Sequence, residues 1–216
     1  MTTMKMDMAG GAAVLGLFRA LAMVDVAVEV HGIFLAVENM PSGSAYRPGD
    51  VVKAMDGTTI EILNTDAEGR VTLADALAYA KTFEPDIIID LATLTGACIA
   101  ALGEEIAGAM GNDRKLVDKL IACGKQTGEP IWELPMFPAY EEHVKSRIAN
   151  LKNTGARGQA GAIAGAMFLK RFVGDTPWVH LDIAGPAYAE REVRPDTPQG
   201  GTGFGVRLLM RYLQGL

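Results

Sequence analysis

Apolar residues in this chain fall into short blocks separated by Gly, Pro and Asp, and the blocks alternate between two periodicities. Ala12 to Met23 is rich in Ala and Leu and predicts a buried helix, with Gly10-Gly11 just ahead permitting close backbone approach. Val26 to Val37 is β-branched and nearly continuous in apolar content, which predicts a strand covered on both faces. Pro41 to Asp50 is a turn-rich loop, and Arg47 and Asp50 are expected to pin it by hydrogen bonds. Val51 to Met55 and Thr58 to Leu63 flank Asp56-Gly57 and predict a hairpin. A helix-like run follows from Val71 to Lys81, then a second buried strand from Asp86 to Ala92, which Leu94-Thr95-Gly96 turns into another helix. Arg114 to Lys125 reads as an amphipathic surface helix, and Gly158 to Phe172 as a tightly packing small-residue helix. Trp178 to Ala184 predicts a third strand, and Val206 to Leu213 a closing helix. Alternating strands and helices predict an α/β fold in three layers (αβα). Its central sheet is mixed and mainly parallel, with helices on both faces. No linker or repeat divides the chain, so residues 1–216 read as a single domain.

Composition narrows the function classes. The net charge of −6, with no basic stripe, argues against a nucleic-acid partner. Apolar runs such as Ile87 to Ile89 and Ala12 to Leu17 fall well short of the roughly 20 residues a membrane span needs. Residues 1–11 carry one lysine and no apolar core, unlike a secretory signal. Cys98 and Cys123 form no C-x-x-C pair, which fits reduced thiols in a cytoplasmic protein. His31, His143 and His180 are too scattered for a metal helix, and His31 and His180 lie in apolar strand-like runs as structural histidines do. A metal in this protein would have to be held by carboxylates.

Asn64-Thr65-Asp66-Ala67-Glu68-Gly69-Arg70 supplies them. In an extended backbone, residues two apart point the same way, so Asp66, Glu68 and Arg70 are expected to converge. Carboxylate oxygens suit divalent cations, and an arginine beside them suits an anion or a developing negative charge. The heptad follows a strand-like run, where open α/β sheets place ligands.

This heptad resembles the signature of the leucyl aminopeptidase (cytosol aminopeptidase) family. So do Lys5-Met6-Asp7-Met8 with Gly10-Gly11-Ala12-Ala13, Glu38-Asn39-Met40-Pro41-Ser42-Gly43 and Ala45-Tyr46-Arg47-Pro48-Gly49-Asp50. Ala92-Thr93-Leu94-Thr95-Gly96-Ala97 and His180-Leu181-Asp182-Ile183-Ala184-Gly185 complete six blocks in the family's order. The resemblance implies a metallo-exopeptidase that releases N-terminal residues from peptides with two divalent metals, zinc or manganese. It makes Asp7, Asp66 and Glu68 metal ligands and Arg70 the catalytic arginine, with bicarbonate held there as general base. Backbone groups of Asp66 and Leu94 would help to hold metal and substrate. Met4, Thr93, Gly96, Ala184 and Ala187 would line the pocket for the first side chain. Asp182 reads as a buried, paired structural acid, and Thr93 and Gly96 are also expected to cap the following helix. The family's hexamer implies a homo-oligomer.

The sequence also departs from the family. A ligand lysine, a second ligand aspartate and a catalytic lysine lie upstream of the Lys5-Met6-Asp7 block in the family and have no counterpart here. The chain therefore reads as a truncated catalytic domain lacking early strands, with metals incompletely ligated. Weak metal binding, at most one tightly held ion and little activity are expected of it. The alternatives are a non-catalytic pseudoenzyme, or one half of a split enzyme whose partner chain supplies the missing ligands. Asn153 to Gly161 departs from the family's tighter loop, which alters the expected substrate entrance.

Overall fold

The computed structural model describes residues 2–216 apart from Val193, Arg194, Asp196 and Pro198. Its strands are β1 (Val51–Lys53), β2 (Thr59–Glu61), β3 (Ile88–Ala92), β4 (Ala107–Gly111), β5 (Ile131–Glu133), β6 (Leu151–Lys152), β7 (Trp178–Asp182), β8 (Tyr188–Ala189) and β9 (Gly200–Gly201). Its α-helices are α1 (Ala9–Leu21), α2 (Glu68–Ala80), α3 (Gly96–Leu102), α4 (Arg114–Thr127), α5 (Gly161–Val173) and α6 (Val206–Leu213).

The central sheet has the order β3-β7-β4-β5. β3 and β7 are parallel, β7 and β4 antiparallel, and β4 and β5 parallel, so the sheet is mixed and mainly parallel as expected. Side chains alternate across the pleat and build two cores. Ile88, Met110 and Trp178 pack with α2, α3 and α5 on one face. Leu91, Ala107, Ala109, Val179 and Leu181 pack with α1, α4 and α6 on the other. This is the three-layer αβα arrangement. Two close approaches set its dimensions. A Cβ on Gly10 would lie 2.1 Å from the carbonyl oxygen of Leu91, so glycine lets α1 rest on the backbone of β3. At the start of α6, the buried Glu129 carboxylate accepts the Leu208 N–H at 2.7 Å, meeting a helix-end donor that would otherwise lack a partner.

The hairpin forms about Asp56-Gly57, with Gly57 at φ 90° and Thr58 N–H bonded to Asp56 Oδ1 at 2.9 Å. β2 also pairs in parallel with β6, giving a small second sheet over the α2/α5 face. The Pro41 to Asp50 loop is pinned where Asp50 Oδ2 accepts the Arg47 N–H at 2.8 Å.

Val26 to Val37 is not a strand. Among the described residues, no backbone hydrogen bond joins it to another segment. The run is held by side-chain contacts: a Cβ on Gly32 would meet the ring of Phe18, Phe34 packs over Gly11, and the His31 and Phe83 rings lie tilted with centroids 4.5 Å apart. Phe34, Leu35 and Val37 stay exposed. Apolar β-branched residues specify a strand only when a neighbouring strand takes their N–H and C=O groups, and none flanks this run. No helix is long and apolar enough to cross a membrane among the described residues.

Candidate functional site

β3 and β7 are adjacent and parallel, so their carboxyl ends open on the same edge of the sheet, where ligands bind in open α/β folds. Thr93 to Thr95 leave β3 there, and Ile183 to Ala187 leave β7. The N-terminus of α2 brings Glu68 and Arg70 to the same place, and a short 3₁₀ turn (Met4–Met6) ahead of α1 brings Asp7.

The heptad is not extended throughout. α2 begins at Glu68, so Glu68 and Arg70 occupy its first turn, where residues two apart are rotated about 200° from each other. Asp66 is exposed, Glu68 half-buried, and Arg70 buried toward α5. A Cβ on Gly165 would stand 3.5 Å from the Arg70 guanidinium and 3.1 Å from Leu94, so this glycine makes room for both. Alternation along a strand therefore does not align these side chains, and what links them is the electrostatic reach of Asp7, Asp66 and Arg70 to Glu68. The acids form an outer rim and Arg70 lies beneath it.

The rim carries unmet polar capacity. Glu68 Oε2, Arg70 Nε and the Tyr46 hydroxyl are buried atoms without hydrogen-bond partners among the described residues. Burial pushes the Glu68 carboxyl above its ordinary range, its own backbone N–H pulls back, and Asp7 and Asp66 push it further up. Burial also lowers the Arg70 guanidinium, against the pull of Asp182 and Glu68. Tyr46 is raised by burial and by the Glu68 charge. Asp7 is held from one side, accepting the Thr93 hydroxyl at 2.6 Å. A buried carboxylate oxygen without a donor, with two more acids in electrostatic reach, is chemically suited to a divalent cation. Even so, among the described residues no three His, Cys, Asp or Glu side chains stand ready to hold one.

Beneath the rim the acids are satisfied, whereas Arg70 Nε and, deeper, His180 Nε2 have no hydrogen-bond partner among the described residues. Asp182, fully buried, accepts the N–H groups of Leu94 (3.2 Å), Thr95 (3.3 Å) and Ala184 (3.2 Å) at Oδ1 and the Thr95 hydroxyl (2.6 Å) at Oδ2. Thr95 Oγ1 in turn accepts the Cys98 N–H at 3.0 Å, so Thr95, rather than Thr93 or Gly96, caps α3. Deeper still, Asp90 accepts from Trp178 Nε1 at 2.7 Å and pairs with His180 Nδ1 at 2.6 Å. Burial works against a charge on His180, but the Asp90 carboxylate outweighs it and raises the imidazole. The neighbouring Cys98 thiol, buried and facing the Asp182 charge, is pushed up to about 12.

The expected pocket residues separate into groups. Met4 is exposed, Thr93 and Leu94 are half-buried, and Gly96 is exposed, all at this edge. Ala184 is buried beside Asp182. Ala187 is buried in the core shared with α1, α4 and α6. One contributor lay outside the expectations: Asn153, fully buried after β6. It accepts the Leu63 N–H at 2.8 Å and the Asn64 N–H at 3.3 Å, and donates to the carbonyls of Asn64 at 2.7 Å and Ala67 at 3.4 Å. It thereby fixes the backbone that carries Asp66. A lone Asn between Lys152 and Thr154 announces nothing of this in sequence.

Residues 1–210 match the catalytic domain of the cytosol aminopeptidase family. Probable cytosol aminopeptidases of Geobacter sp. (strain M21) and Aquifex aeolicus (strain VF5) are each 54% identical over 99% of this chain. That of Roseiflexus castenholzii (strain DSM 13941 / HLO8) is 52% identical over 99% of it. The chain spans 43% of the length of the first two relatives and 44% of the third.

Proposed function

The chain belongs to the cytosol aminopeptidase family, and from that premise we propose that the rim is the metal-dependent centre of an aminopeptidase releasing N-terminal residues, leucine-type, from peptides. The observation that carries this reading is the buried, unpartnered Oε2 of Glu68 beside Asp7 and Asp66, with Arg70 behind. Asp7, Asp66 and Glu68 would hold divalent ions, manganese or zinc. When bound, such ions supply an activated water and a polarised scissile carbonyl. The Thr93 hydroxyl orients Asp7. Arg70, held beneath the rim and short of partners at Nε, offers its charge to an anion such as bicarbonate. Met4, Thr93, Leu94, Gly96 and Ala184 border the space for the substrate's first side chain. From the same premise we infer a homo-oligomer acting in the cytoplasm.

A second reading has support in the lack of a ready three-ligand group among the described residues. It makes the chain a non-catalytic or split-enzyme subunit that relies on ligands from another polypeptide. Release of the chromophore from leucine p-nitroanilide, with manganese added, separates the two. The first reading predicts slow, manganese-dependent turnover that disappears in Glu68→Ala and in Arg70→Ala. Turnover that survives both substitutions contradicts it. Manganese binding without turnover supports the second.

A further inference from the structure

Asp182 has a function beyond that of a buried acid. Among the described residues its two oxygens accept from four donors, on both sides of the site edge. Leu94 and Thr95 belong to the loop leaving β3, and Ala184 to the turn leaving β7. Parallel strands are not joined by a local turn, so these two exits have no short covalent link. Between them the Ile183 N–H bonds to the Ala92 carbonyl at 2.8 Å, and beyond that backbone bond the carboxylate provides the connection to Leu94 and Thr95.

We propose that Asp182 is the positioning residue of the site, its carboxylate locking the loops after β3 and β7 to each other and so setting Thr93 against Asp7 over the Arg70 guanidinium. The inference rests on the reading of the rim as a metal centre. The path is short and each step is a contact. Asp182 holds the N–H groups of Leu94 and Thr95; Thr93 precedes them and donates to Asp7 at 2.6 Å. Leu94 and Thr95 also border the Gly165 notch that admits the Arg70 guanidinium, and the Asp182 charge acts directly on that cation. Burial pushes the Asp182 carboxyl up, while His180, Thr95 and the loop amides pull it back. With four donors around it, the ionised form is the one this geometry accommodates. Hydrogen-bond partners that orient a metal's ligands typically matter about 10–100-fold in affinity.

The test is backbone amide exchange with parallel Mn²⁺ titration of the 216-residue chain, comparing wild type with Asp182→Asn, Thr95→Val and Thr95→Ser. Asn keeps one acceptor but sets an amide group where Oδ2 took a hydroxyl; Val removes the hydroxyl; Ser restores it. In Asp182→Asn and Thr95→Val, exchange at Leu94, Thr95 and Ala184 is expected to accelerate about tenfold or more. Asp90 and Leu181, whose N–H groups lie in the β3–β7 ladder, should stay protected, and Mn²⁺ affinity should fall about tenfold. Thr95→Ser should match wild type in both respects. Unchanged protection at the three amides overturns the proposal. So does acceleration spread evenly over β3 and β7, or a loosened loop with Mn²⁺ affinity intact. If Asp182→Asn fails to fold, Thr95→Val decides alone. Wild type binding no Mn²⁺ would instead remove the metal-centre reading, leaving amide exchange to judge the lock.

Discussion

Glu68 and Asp182 are both partly or wholly buried acids at the same edge of one sheet, and they are in opposite condition. Asp182 is fully buried with four donors around it. Glu68 is half-buried, has an oxygen with no partner, and is pushed up by burial and by the neighbouring acids Asp7 and Asp66. A carboxylate whose needs are met within the chain contributes to the fold. One that is crowded by its own kind, with one oxygen left without a donor, costs stability until something cationic arrives. The lower tier is therefore a scaffold and the rim a set of ligands in waiting.

The largest effect expected within this contrast is at Asn153, which joins the tiers. Asn153→Ala leaves the N–H groups of Leu63 and Asn64 and the carbonyls of Asn64 and Ala67 without their buried partner, which should cost about 2–3 kcal/mol. For a chain of this size that lowers the thermal midpoint by roughly 5–10 °C. A loss within the experimental error of wild type would mean that the heptad holds itself. The next effect is pH-dependent and belongs to the scaffold. The raised His180 imidazole pairs with Asp90, so its stabilisation is full below the ordinary histidine value of about 6.5 and is lost as pH climbs through the higher folded value. Thermal midpoints should decline above about pH 6.5, and Asp90→Asn should flatten that decline. A wild-type midpoint that rises with pH, or an equal slope in the variant, contradicts this sign. The smallest effect is at the rim. Glu68→Gln should leave the midpoint of the metal-free chain at pH 7.5 unchanged or slightly raised, because it removes a charge that burial and two acids disfavour. A clear loss would place Glu68 among the structural acids.

Much of the lower tier was legible in sequence. The α2, α4, α5 and α6 runs, the hairpin at Asp56-Gly57 and the strands β3 and β7 all follow from periodicity and turn residues, although β7 ends at Asp182, two residues short of the expected Ala184. β4 did not, because Ala-Gly-Ala-Met-Gly carries no β-branched residue; its glycines serve close packing, since a Cβ on Gly111 would stand 2.6 Å from the carbonyl oxygen of Trp178. Val26 to Val37 misled for the opposite reason: its composition is that of a buried strand, but none of the described residues pairs with it. At the site, residue identities could be expected from the heptad and its resemblance, while its backbone form could not. Helix α2 starts at Glu68, placing an acid in its first turn where the helix dipole favours one. The clamps at Asn153 and Asp182 depend on contacts spanning nearly 90 residues, which no local pattern encodes.

The contrast between tiers is tested most directly by calorimetric titration of Mn²⁺ into the 216-residue chain and its Glu68→Gln variant. The account predicts binding at no more than one tight site in wild type and its loss in the variant, with both proteins equally folded. Mn²⁺ binding that is undiminished by Glu68→Gln, or absent from wild type at millimolar metal, would contradict it.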